Sequence, residues 1–133
     1  MMRRQFILPE IDREYLDALG LNWETITDPS GQCLLVHEFP VTQGYNRNNV
    51  IAALIIPPGY PDAQIDMVYF YPALSRNDGR AINALTTQQI DGKTFQRWSR
   101  HRTGQNPWRP GVDDVSTHLA LVEFWLEREL KRG

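Results

Sequence analysis

Four runs rich in β-branched and aromatic residues, separated by turn chemistry, fill residues 23–71 and limit the possible fold more than any other feature. Residues 23–27 read as a strand, Asp28-Pro29-Ser30-Gly31 as a turn in which proline presets φ, and residues 32–41 as the returning strand. This is a hairpin. The loop chemistry of Gln43-Gly44-Tyr45-Asn46-Arg47-Asn48-Asn49 leads to the apolar run 50–56, which suits a central strand covered on at least one face. After Pro57-Pro58-Gly59-Tyr60-Pro61, residues 65–71 give a fourth strand that ends at Pro72. The expected result is a four-stranded antiparallel meander.

Helical patterns flank it. Ile11, Tyr15, Leu16 and Leu19 fall on one stripe of a helix over residues 10–19, stopped by Gly20. Near the other end, Asp113 or Asp114 can cap a helix with Val115, Leu119, Val122 and Leu126 on one face, and Lys131 and Arg132 suit its C-terminus. Phe124, Trp125 and Leu130 widen that apolar surface. The sequence of 133 residues, 41% hydrophobic, is expected to form a single domain over 1–133 with one continuous core. It has no apolar run long enough for a spanning helix and no signal-peptide core after Met1-Met2-Arg3-Arg4-Gln5, so a cytoplasmic location without membrane contact is expected. One cysteine cannot form an internal disulfide, and with three scattered histidines it gives no zinc-ligand spacing; no metal or cofactor is expected.

Residues 75–111 show no convincing period apart from a short strand or turn around 94–98, yet Phe95, Trp98 and Trp108 argue against disorder. The segment is also basic. Residues 76–109 carry seven cationic side chains against Asp78 and Asp91, while the remainder of a chain with net charge −2 is acidic.

The order of helix, four-strand meander, long aromatic-containing irregular segment and helix resembles the ubiquitin-conjugating (UBC) superfamily. More specific are Ile55-Ile56-Pro57-Pro58-Gly59-Tyr60-Pro61 ahead of a strand, similar to that family's proline turn, and Trp108-Arg109-Pro110 ahead of a capped helix, similar to its Trp-x-Pro stretch. The string Trp98-Ser99-Arg100-His101 with Trp108-Arg109-Pro110-Gly111-Val112-Asp113 resembles bacterial members that accompany multi-ubiquitin-like proteins and a ubiquitin-activating-type adenylyltransferase. The resemblance implies an α+β fold with the C-terminal helix packed on the sheet. It also implies two partners, a ubiquitin-like or multi-ubiquitin-like protein and its adenylyltransferase.

The window where the family keeps its catalytic thiol reads Trp98-Ser99-Arg100-His101-Arg102, without cysteine. Thioester relay needs a thiolate, so direct thiol chemistry is doubtful here. Ser99 could instead form an ester with His101 as base, and Asn77 matches the family's oxyanion asparagine. Cys33 is expected to be a buried strand residue sharing a face with Leu35, His37 and Phe39, and His118 a first-turn helix residue. Arg100, His101 and Arg102 are expected to line a surface groove for an acidic or carboxylate-ended partner, with Trp98 and Trp108 holding its shape. Nucleic acid is the weaker ligand, since the chain is acidic overall and lacks a recognised motif. Three functions follow from these readings. The first is a conjugating-enzyme-fold component of a ubiquitin-like pathway. The others are a non-catalytic adaptor that binds the ubiquitin-like protein, and a small hydrolase or transferase using His101 with Ser99 or Asp113.

Overall fold

The computed structural model describes residues 2–132. Along the chain run α1 (Glu10–Ala18), β1 (Trp23–Asp28), β2 (Gly31–Pro40), β3 (Asn49–Ile56), β4 (Val68–Tyr71), β5 (Leu85–Ile90), β6 (Lys93–Trp98) and α2 (Val115–Lys131). The strands form one antiparallel sheet in the order β1-β2-β3-β4-β6-β5. The α+β arrangement of helix, meander and C-terminal helix is as expected, but the sheet has six strands rather than four. Among the described residues, no helix is long and apolar enough to cross a membrane.

The two extra strands form a hairpin inside the segment that showed no period. Asp91 and Gly92 both take positive φ, 53° and 73°, the conformation that a two-residue hairpin turn of matching twist requires. The Asp-Gly pair was the available signal. It was obscured because β5, Leu-Thr-Thr-Gln-Gln-Ile, lies at the sheet edge and buries only Ile90 fully, so it carries no strong alternation.

α2 covers one face of the sheet. Val115, Leu119, Val122 and Leu126 are buried there with Leu34, Leu54, Phe70 and Trp98. The Trp98 ring meets Phe70 edge-on at 5.4 Å and Tyr45 at 6.1 Å, while Phe124 points outward. Gly44, with φ 122°, lets its backbone pass close to Leu130; a Cβ there would lie 2.7 Å from a leucine methyl. The opposite face carries a smaller cluster with Ile26, Cys33, Leu35, Tyr69, Ile90 and Phe95.

Two sequence expectations change at this level. A register shift between Val36 and Phe39, with Glu38 at φ 52°, breaks the alternation of β2, so Cys33 and Leu35 share one face while Phe39 enters the helix-side core. His37 instead turns to Glu24 at 2.8 Å. In α1 the buried residues are Asp12 and Leu16, whereas Ile11 is 65% exposed and Leu19 also faces outward. The helix is rotated because Asp12 accepts the Tyr60 hydroxyl at 2.6 Å and the Val115 N–H at 3.2 Å, tying α1 to the start of α2. Burial raises the Asp12 carboxyl above its ordinary range, although both hydrogen bonds oppose the shift.

Candidate functional site

β6 ends at Trp98, and the chain bends at once: the Arg100 N–H donates to the Trp98 carbonyl at 2.9 Å, which puts Ser99 at the apex of a three-residue turn. The Ser99 N–H still donates to the Ala84 carbonyl at 3.1 Å, so the apex remains fixed to the strand beside it. A recess of about 310 Å³ opens next to this turn, lined by Asn83, Ser99, Arg100, His101, Trp125 and Arg128 among others. Its walls thus come from the approach to β5, the exit of β6 and the last turns of α2.

Glu129 holds these walls together. It is 3% exposed, and its carboxylate accepts from Arg100 at 3.0 Å, Arg132 at 2.8 Å and the Asn83 N–H at 3.2 Å. Arg76 approaches the same carboxylate at 3.9 Å and donates to the Glu129 carbonyl at 2.7 Å. Arg100 also donates to the Asn83 carbonyl at 2.9 Å and lies over the Trp98 ring. Glu129 continues the spacing of Leu119, Val122 and Leu126 along α2. An acid on that apolar stripe was the sequence signal for a buried partner of arginines.

His101 is exposed and directs Nδ1 to the Asp66 carboxylate at 2.9 Å. Because a carboxylate only accepts, Nδ1 carries the proton in this pair, which leaves Nε2 for other contacts. Asp66 comes from the segment before β4 and was not foreseen from sequence, since nothing in spacing links positions 66 and 101.

The three residues expected to share a groove therefore separate. Arg102 is turned inward with its side chain 5% exposed, under the Trp108 ring, 3.7 Å from Asp113 and 3.5 Å from His118 Nδ1, and its buried Nε has no partner. Burial lowers its pKa below the ordinary arginine value despite the Asp113 charge. His118, fully buried, donates from Nε2 to the Met67 carbonyl at 2.9 Å. Burial pushes its pKa down to about 4, with the Arg102 charge acting in the same direction. Asp113 is buried as well; burial alone would raise its carboxyl, but the Arg109 N–H and the nearby cations outweigh that and hold it below the ordinary range. The cap of α2 is Asp114, whose side chain accepts from the Thr117 N–H in a capping box.

Trp98 is sealed in the core, while Trp108 is only partly buried, its indole N–H donating to the Pro61 carbonyl at 3.0 Å. Asn77 is exposed beside Gly44, to whose carbonyl its N–H donates, and it does not line the recess; the asparagine that does is Asn83. Cys33 is fully buried on the face of the sheet opposite α2, and burial raises its thiol pKa. Among the described residues no three His, Cys, Asp or Glu side chains gather to hold a metal ion.

The N-terminal helix, six-stranded antiparallel sheet and C-terminal helix make an α+β architecture consistent with the ubiquitin-conjugating fold. Prokaryotic E2 family E matches residues 8–129, and the chain belongs to that family. No curated protein and no solved structure matches it.

Proposed function

We propose that this protein is the conjugating-enzyme-fold component of a bacterial ubiquitin-like conjugation pathway, binding the ubiquitin-like protein and its activating adenylyltransferase without forming a thioester. The observation that carries this reading is the recess at the end of β6: it offers arginine and histidine side chains to a carboxylate-ended tail, and the one thiol of the chain is buried beyond the sheet. Arg128 is the cation to test. It is exposed, lines the recess and makes no ion pair among the described residues, whereas Arg100 and Arg102 are engaged by Glu129 and Asp113. Calorimetry with the cognate ubiquitin-like protein should show affinity reduced severalfold in Arg128→Ala and falling with salt, at unchanged melting temperature. Unchanged affinity with no salt dependence would remove the recess from recognition.

A second reading, acyl transfer through an ester, is favoured by one contact. The Asp66 carboxylate orients His101 as an aspartate orients a catalytic base, and Ser99 lies on the same recess. In that chemistry the Ser99 oxygen attacks the activated carboxyl of the ubiquitin-like protein, His101 Nε2 takes the hydroxyl proton, and the activating group leaves. Incubation with the adenylyltransferase, ATP and the ubiquitin-like protein separates the two readings. An adduct resistant to thiols, cleaved by hydroxylamine and absent in Ser99→Ala establishes the ester; its absence alongside retained binding leaves the first reading.

A further inference from the structure

Among the described residues, four other than glycine take positive φ. Glu38 belongs to the bulge of β2 and Asp91 to the β5–β6 turn. Ala84 lines the recess, and Met67, at φ 58°, follows Asp66, the partner of His101. A methionine in this conformation is held against its own steric preference, so a contact must fix it.

His118 supplies that contact. It stands in the first turn of α2, is fully buried, and donates from Nε2 to the Met67 carbonyl at 2.9 Å. Met67 is thereby drawn two ways: its side chain packs against the cluster on the face of the sheet opposite α2, while its carbonyl reaches α2. The other ring nitrogen of His118, Nδ1, faces the Arg102 guanidinium at 3.5 Å and accepts, since that group only donates. The His118 and Trp125 rings meet edge to face with centroids 5.6 Å apart, and Trp125 lines the recess. Each contact of this one buried imidazole thus ends at a residue of the recess or at the neighbour of His101 or of Asp66.

We propose that His118 is a positioning residue for His101, setting which ring nitrogen of that histidine carries the proton. β4 starts at Val68, which is fixed by its pairing with Trp98 of β6. Rotation about the N–Cα bond of Met67 therefore swings Asp66 relative to the sheet, and the left-handed φ aims its carboxylate at His101 Nδ1. Without the hydrogen bond from His118, the Met67 carbonyl loses its partner and the residue relaxes toward negative φ. Asp66 then leaves His101, whose proton is no longer confined to Nδ1. The functional meaning of this rests on the ester reading, in which a free Nε2 takes the Ser99 proton; the geometry is independent of that chemistry.

Nitrogen-15 NMR of the full chain tests the role. The sequence has three histidines, so a substitution at His118 leaves two ring signals, His37 and His101. At about pH 8, where an unperturbed imidazole is neutral, the wild type should show the His101 proton on Nδ1. In His118→Phe, which keeps an aromatic ring and removes the donor, that proton should spread over both nitrogens. In His118→Gln, whose amide nitrogen reaches the place of Nε2, the wild-type tautomer should return. The His37 ring bonds to Glu24 of β1, so its signal reports the fold and should stay unchanged; His118→Leu replaces the phenylalanine variant if that ring unsettles it. Where an adduct forms on Ser99, its rate should fall about tenfold or more in His118→Phe and recover in His118→Gln. Lack of any Ser99 adduct in the wild type counts against the ester reading alone, and the tautomers still decide the role of His118. A wild-type His101 protonated on Nε2 overturns the inference, as does a glutamine variant that behaves like the phenylalanine one. A tautomer unchanged in both the phenylalanine and the leucine variants overturns it too, and assigns the placement of Asp66 to the buried Ile65 before it.

Discussion

The meander β1–β4 and the chain from residue 76 to 113 are held by different forces. In the meander, buried Val, Leu, Ile, Ala and Phe alternate between two apolar clusters, so many small contributions fix the strands. In the later segment Ile90, Phe95 and Trp98 enter the same clusters through the β5–β6 hairpin, while the irregular stretches around it are fixed by a few polar anchors: Glu129 with Arg76 and Arg100, Gln96 with both backbone groups of Leu74, Asp113 with Arg109, and Trp108 on Pro61. A region built on burial tolerates single losses according to size. Irregular stretches built on anchors should fail abruptly where an anchor is removed and hardly at all at their exposed positions.

Glu129→Ala puts the largest weight on that difference. It strips the carboxylate from Arg100 and Arg132 and leaves the Asn83 N–H unpaired, so a loss of about 3–5 kcal/mol is expected by urea denaturation, with the recess disordered first. A loss under about 1 kcal/mol would show that the anchors are redundant. Leu119→Ala tests the burial side: a loss of about 2–5 kcal/mol is expected at this fully packed position, spread over the whole cooperative transition.

The His118 imidazole gives the comparison a pH signature. Its folded pKa lies near 4 against 6.5 when unperturbed, so the unfolded state binds the proton more readily and stability falls as pH drops from 6.5 through 4. Up to about 3 kcal/mol should be lost across that window, and His118→Gln should flatten the profile between pH 6.5 and 5. Glu24, held down to about 2 chiefly by its hydrogen bond from Arg3, loses its stabilising contribution only as pH falls from about 4.5 toward 2, mostly below the histidine window. A wild-type profile already flat above pH 5 would place His118 in contact with water. The smallest effect is expected at the junction of the two regions: Asp114→Ala removes the cap of α2 and should cost about 1 kcal/mol in thermal unfolding.

The parts of the fold legible in the sequence were those whose period matches their element. The strands of the meander and the stripe Val115, Leu119, Val122 and Leu126 repeat at 2 and 3.6 residues because one face of each is buried. The β5–β6 hairpin was missed because an edge strand exposed to water needs no such period, and the Phe39 face was misassigned because one bulge at Glu38 reverses the alternation after it. At the candidate site, Ser99, Arg100 and His101 were located by resemblance to a family pattern. Asp66, Asn83, Arg128 and Glu129 join them from positions remote in the chain, and the expected Asn77 does not.

What the sequence by itself determined is the class of architecture, the capped C-terminal helix and the lack of a cysteine in residues 98–102, all properties of neighbouring residues and their types. Tertiary structure alone decided which arginine faces the recess and which is buried. Arg102 and Arg128 are equally charged in sequence, but side-chain direction depends on where a strand ends and a helix packs, and the interior accepts a guanidinium only beside groups such as Asp113 that another part of the chain supplies.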